Sequence, residues 1–234
     1  MYYSVYDCLN IMYLEKINKK KVLLFDFDGV IVDTLDIFYN LHHESNPNFT
    51  VEEFKDLFNG NPHASIKEAV RQGRFVLRPL VEFFEKYAEV LYTRTPFIGI
   101  QDALVEFSDT YINVIISSTP SAPIGTYLEK FGMRGYFDSI RGYDVSPSKT
   151  EKIKMVIKTN GLEPRDALFI TDTLGDIIEA RNAGVSAVGV TWGYHAKDKL
   201  MEGNPFQCVD DPSKLVSAVS EYFDFPPPDL ESKR

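Results

Sequence analysis

The chain has 234 residues, 44% of them hydrophobic and 25% charged, which suits one globular core or one core with a modest insertion. A net charge of −9 argues against nonspecific binding to nucleic acid or to an anionic membrane, both of which need basic surface, yet it leaves room for a small anionic substrate at a local positive site. No run reaches the roughly 18 apolar residues of a membrane span, no signal-peptide pattern opens the chain, and Cys8 and Cys208 have no metal-ligand spacing, so the expectation is a cytoplasmic protein with reduced thiols.

Residues 5–17 space Val5, Leu9, Met12 and Leu14 as one face of a short amphipathic helix, and residues 1–21 form an N-terminal extension. From residue 22 a repeating pattern begins. Near-continuous apolar runs at 22–25 (VLLF), 112–116 (INVII), 167–170 (ALFI) and 185–190 (VSAVGV), with a weaker run around Ser139–Arg141, suit parallel strands covered on both faces. Helical patterns alternate with them. Residues 122–131 carry Pro123 near the start and Gly132 past the end. Residues 148–160 open on the capping-box spacing Ser148–Glu151 and close at Asn160-Gly161, and residues 174–183 run up to Gly184. Strand alternating with helix implies an α/β fold with a parallel, Rossmann-like sheet.

One interval breaks the rhythm. Between the strands at 22 and 112 lie helical patterns over 50–59, 64–72 and 79–92, the first opened by the capping box Thr50–Glu53. A single crossover helix does not need so much chain. Residues 36–96 therefore read as a small all-helical domain inserted after the first strand, with residues 22–35 and 97–224 as the α/β core. The proline-rich end, 225–234, reads as a disordered tail.

Ligands of doubly wound sheets bind at the carboxyl ends of the strands. Asp26 and Asp28 follow the first apolar run, Ser117 and Ser118 the second, and Asp172 and Asp176 the fourth, while Lys149 opens the helix after the weak third strand. Crowded carboxylates repel one another, and a hard divalent cation with oxygen ligands relieves that repulsion. Magnesium held by Asp26 and Asp172, with Asp176 near it, gives these acids a purpose. Each residue also has a plainer reading. Ser117 competes with Ser118 for one role and Lys149 with Lys152. Asp176 suits the first turn of a helix dipole, and Asp33 suits loop-fixing.

DFDGVIVDT at 26–34, the serine after VII, the Lys149 segment and TDTLGD at 171–176 resemble, in order, the four motifs of the haloacid dehalogenase superfamily. The likeness covers residues 22 to about 195 and is nearest to the branch of phosphoglycolate phosphatase and β-phosphoglucomutase, which carries a helical cap where the insertion lies. VTWGYH at 190–195 resembles the segment after that branch's last core strand. The resemblance implies Asp26 as the nucleophile that forms an aspartyl-phosphate. It implies Asp28 as the proton donor to the leaving oxygen and then the activator of water, its backbone carbonyl facing the magnesium. Ser117, with Ser118 adjacent, would hold the phosphoryl group, Lys149 would neutralise charge, and Asp172 and Asp176 would bind magnesium. The expected activity is hydrolysis of a small phosphate monoester, a phosphoglycolate- or sugar-phosphate-like metabolite. A phosphomutase on the same framework and a noncatalytic binding module are the alternatives. Thr171 departs from the small residue, often glycine, that usually precedes the first acid of the fourth motif. In the cap, His63, Lys67, Arg71 and Arg74 read either as substrate contacts or as a solvated helix face, and His195 reads as a loop residue.

Overall fold

The computed structural model describes residues 21–225. Val22–Phe25 (β1) is wholly apolar and buried along its length, as a strand at the centre of a covered sheet must be. It pairs in parallel with Ile112–Ile116 (β2) on one side and Ala167–Thr171 (β4) on the other, so that Leu24 faces both Val114 and Phe169. Ser139–Arg141 (β3) extends the sheet beyond β2, and Ser186–Val190 (β5) and Gln207–Val209 (β6) extend it beyond β4. The order β3-β2-β1-β4-β5-β6 means that the chain steps outward from β1 to β3 and then returns to β1's other edge. That reversal opens a crevice at the carboxyl ends of β1 and β4.

The two-residue period of the strands divides the core. Leu23, Phe25, Ile115 and Ile170 join one apolar cluster, while Val22, Leu24, Val114 and Phe169 join another on the opposite face. All five strands expected from the sequence are present, and β4 runs one residue further, to Thr171. The sixth strand was not expected: it has three residues at the sheet edge, two of them half-exposed, too few to leave a pattern.

The insertion is helical and begins at Leu35, one residue before the expected boundary, with Leu35–His43 (α1), Val51–Asp56 (α2), Pro62–Arg71 (α3) and Leu80–Leu91 (α4). Both arms of the Thr50–Glu53 capping box form. The helix expected over 50–59 divides, its last three residues tightening into a 3-10 turn, Leu57–Asn59. Phe38 on α1 packs against Phe83 and Tyr87 on α4, with ring centroids 5.7 and 4.7 Å apart. Ile100–Ser108 (α5) starts the core again, followed by Ser121–Lys130 (α6), Lys149–Asn160 (α7), Leu174–Asn182 (α8), Lys197–Met201 (α9) and Leu215–Asp224 (α10). The expected helix at 5–17 and the tail beyond 225 lie outside the described residues, among which no helix is long and apolar enough to cross a membrane.

The cap sits on the core through a tight seam at the start of α8. A Cβ at Gly175 would lie 2.1 Å from the carbonyl oxygen of Gly60, so only glycine admits the contact. Asn61 donates to Glu179 at 3.0 Å and to the carbonyl of Pro147 at 3.1 Å. His195 accepts from the backbone N–H of Leu174 through Nδ1 at 3.0 Å, which leaves Nε2–H to donate to the carbonyl of Lys55, also at 3.0 Å. A neutral imidazole thus ties cap to core.

Gly175→Ala forces this seam apart. The expected outcome is a net loss of about 1–3 kcal/mol, the cost of overpacking, despite alanine's better helix propensity. Gly60→Ala, whose Cβ meets nothing within 4 Å, is the control and changes stability by less than about 0.5 kcal/mol. Urea denaturation of both variants checks this.

Candidate active site

The crevice gathers side chains from four strand ends. Asp26 continues β1, its N–H donating to the carbonyl of Ile170 at 2.9 Å, so the first acid is fixed beside the end of β4. Its Oδ1 accepts from the N–H of Phe27 at 2.7 Å. Its Oδ2 lies 2.7 Å from Nζ of Lys149, which also reaches Asp176 at 2.6 Å. Lys149 is the first residue of α7. That helix start is held by Ser148, whose hydroxyl caps the N–H of Glu151, and by Glu179, which accepts from the N–H of Lys149 at 2.9 Å. Asp176 lies in the first turn of α8, where a carboxylate also gains from the helix dipole.

Asp172 follows β4 and is fully buried. Its Oδ2 accepts from the N–H of Tyr194 at 2.7 Å, and its Oδ1 has no hydrogen-bond partner. The packing here is tight: a Cβ at Gly29, which has φ +75°, would lie 2.0 Å from Asp172 Oδ2, and one at Gly193 would lie 2.3 Å from it. Asp26, Asp172 and Asp176 each offer a carboxylate oxygen, all within 4.8 Å of one another. Two of the three buried acids thus share one ammonium, and Asp172 has none. An all-oxygen donor set with an orphaned buried carboxylate oxygen fits a hard divalent cation, and Asp26, Asp172 and Asp176 are the residues that would hold it.

The electrostatics follow. Burial raises the Asp26 carboxyl well above its ordinary value despite Lys149, and raises Asp172 to about 8. Burial also pushes Asp176 up, but Lys149 and three hydrogen bonds outweigh it and hold that group ionised. Lys149 loses from burial and gains more from Asp176 and Asp26, so it stays charged.

Asp28 sits in a cage of hydroxyls. Tyr87 and Thr34 donate to its Oδ1 at 2.5 and 2.9 Å, and Thr119 and Ser117 to its Oδ2 at 2.8 and 3.3 Å. Burial raises its pKa, and the hydroxyls offset this only in part.

Asp26, Asp28, Ser118, Lys149 and Asp176 line one cavity of about 520 Å³. Ser117 is fully buried and spends its oxygen on Asp28 and on the N–H of Thr119, so Ser118 is the serine that reaches the cavity. Lys152 is turned away from the acids and donates to the carbonyl of Ser117 at 2.5 Å, while Lys149 meets them. Asp33 is exposed and accepts from the N–H of Leu35, a helix-start contact. His63 and Lys67 face the cavity, whereas Arg71 pairs with Glu68 and Arg74 with Gln72 on the outside.

Several residues escaped the sequence reading. Thr171, noted only as a departure, donates to Asp176 at 2.8 Å. Glu179 anchors three groups at the start of α7 from 30 residues away, a distance at which spacing carries no signal. Tyr87 comes from the cap and meets Asp28 across 59 positions of sequence.

A sequence model described as haloacid dehalogenase-like hydrolase matches residues 23–190. Phosphoglycolate phosphatase of Synechococcus elongatus is 24% identical over 207 residues, covering 86% of this chain and 98% of its own. The Agrobacterium fabrum protein of the same name is 27% identical, with 85% and 91% covered. A hydrolase from Pseudomonas syringae shares the fold, with a TM-score of 0.72 at 15% identity over 86% of this chain and 98% of that one.

In metal-free protein, folding keeps on Asp172 a proton that the unfolded chain sheds above its ordinary value of 3.8, so its contribution to stability falls as pH rises from about 4 to 8. One proton is worth about 1.4 kcal/mol per pH unit. The buried histidines 42 and 63, depressed to about 4, act in the opposite sense, gaining stability as pH rises to their ordinary 6.5. The difference between wild type and Asp172→Asn isolates the acid. Denaturation with EDTA present should show the variant gaining on wild type between pH 5 and 7.5.

Proposed function

Because the chain belongs to the haloacid dehalogenase-like hydrolase family, we propose that it is a divalent-metal-dependent phosphatase that hydrolyses a phosphate monoester through an aspartyl-phosphate on Asp26. The observation that carries this reading is the buried acidic cluster, Asp26, Asp172 and Asp176, in which Lys149 pairs with Asp26 and Asp176 at the edge of a cavity and Asp172 Oδ1 has no partner. The donors are oxygens only, which suits magnesium. The names of the curated relatives support phosphoryl transfer from a small phosphorylated metabolite.

The geometry supports the following roles. Asp26 is the carboxylate at the strand end, held by its own N–H and by Phe27 so that Oδ2 faces Lys149. It attacks phosphorus in line with the leaving oxygen, and the bond from phosphorus to that oxygen breaks. Asp28, whose burial keeps its proton nearer neutral pH than an exposed aspartate would, protonates the leaving alkoxide. The same carboxylate, now ionised, takes a proton from water, which attacks the phosphoryl group and frees Asp26. Lys149 and Ser118 hold the phosphoryl oxygens, and positioning of this kind is most of what phosphoryl transfer asks of a protein. A bound divalent cation would offset the charge shared by the phosphoryl group and the acids.

Two outcomes are expected. Asp26→Asn lowers phosphate release from a general substrate such as p-nitrophenyl phosphate by about three orders of magnitude or more, with folding intact by circular dichroism. Magnesium at 100 times its dissociation constant raises wild-type stability by about 2.7 kcal/mol, and Asp172→Asn loses most of that gain. Turnover that survives Asp26→Asn, or that is indifferent to EDTA, overturns the reading.

A further inference from the structure

The cavity has two unlike halves. The core supplies Asp26, Asp28, Ser118, Lys149 and Asp176, whereas the cap supplies mostly carbon. Phe38, Phe58, Ile66, Leu80, Phe83 and Phe84 line it, and Val70 and Leu77 complete the apolar wall. At about 520 Å³ it falls within the range of sites that enclose drug-sized ligands, far more room than a phosphoryl group with a two-carbon acid needs.

The cap offers few polar groups to a charged or hydroxyl-rich organic half. Arg78 is already committed, 2.5 Å from Glu44 and 3.9 Å from Glu82. Lys67 is exposed to solvent. His42 and His63 are held uncharged at neutral pH by burial; His42 stacks on Phe83 with centroids 4.5 Å apart, and His63 brings to the cavity a single Nε2 without a hydrogen-bond partner. A sugar ring or carboxylate placed here would lose more water than one neutral imidazole nitrogen and one solvent-exposed ammonium replace. The apolar wall also runs out to the surface: Val70, Leu77 and Leu80 remain 37%, 45% and 46% exposed, area that an apolar ligand would cover.

We infer that the substrate is the phosphate monoester of a hydrophobic alcohol, an aryl or long-chain alkyl phosphate, with its hydrocarbon laid along the cap and its phosphoryl group against Asp26 and Lys149. This deepens the phosphatase reading and rests on it. Water is the second reactant, and the products are the free alcohol and inorganic phosphate. The wall discriminates against small polar esters because burial of each methylene stabilises the bound ester and its transition state.

The test is a series of n-alkyl phosphates from ethyl to octyl, with phosphoglycolate and a hexose phosphate beside them, and calorimetric binding of the matching alkyl phosphonates. kcat/KM is expected to rise about fourfold for each methylene that enters the cavity, and phosphonate affinity to rise with it. Leu80→Asn, at an exposed position, is expected to flatten the slope. Turnover with a flat series, or faster turnover of phosphoglycolate or the hexose phosphate than of octyl phosphate, overturns the inference and leaves the phosphatase reading standing. No turnover with chain-length-dependent phosphonate binding overturns the phosphatase reading and keeps the apolar site. No turnover and flat binding overturns both.

Discussion

Three carboxylates out of water with one lysine between them is the constraint on which the rest of the molecule depends. Taking an unpaired carboxylate into a protein interior costs several kcal/mol even after relaxation. Asp26, Asp172 and Asp176 accept that cost within 4.8 Å of one another. Lys149 bridges Asp26 and Asp176, leaving Asp172 with a single backbone donor and an orphaned oxygen. Packing alone gives no reason for such a cluster. The proposed binding of a cation and an anionic phosphoryl group would supply one.

The surrounding fold keeps these acids from escaping to solvent. The reversal of strand order beside β1 puts the ends of β1 and β4 in neighbouring positions, so two acids far apart in sequence meet through the register of one sheet. Gly29 and Gly193 let backbone close over Asp172 where any side chain would collide with it. The cap completes the enclosure. Its seam at Gly60 and Gly175 and its tie through His195 rest on the first turn of α8, the turn that carries Asp176. The cap therefore rests on the same helical turn that positions Asp176.

Much of this was legible in the sequence because it depends on local pattern. VLLF ending in Asp-Phe-Asp-Gly marks a buried strand running into a polar crevice, and Ser148–Glu151 marks the helix start that presents Lys149. The pattern of α5 is equally local: Ile100, Ala103, Leu104 and Phe107 are spaced for one buried helix face. What stayed hidden depends on long-range contact. Nothing in the run IISST tells which serine turns inward; that is settled by Asp28, 89 residues earlier, which claims Ser117. Thr171 departs from the small residue the motif usually has, and only the fold shows that its hydroxyl donates to Asp176. The cap gave least. Its charged residues stand out in the sequence, yet Arg71 and Arg74 point outward and the cavity is walled by phenylalanines, whose common face only the packing of α1, α2, the 3-10 turn and α4 creates.

Proton release on metal binding tests the central claim most directly. Magnesium titrated into the protein at pH 7, by calorimetry in buffers of different ionisation enthalpy, reports how many protons leave as the ion enters. A cluster that keeps Asp172, raised to about 8, protonated until a cation arrives releases about one proton or more on binding, and Asp172→Asn releases fewer and binds more weakly. Binding without proton release, or binding unchanged in the variant, would contradict the account.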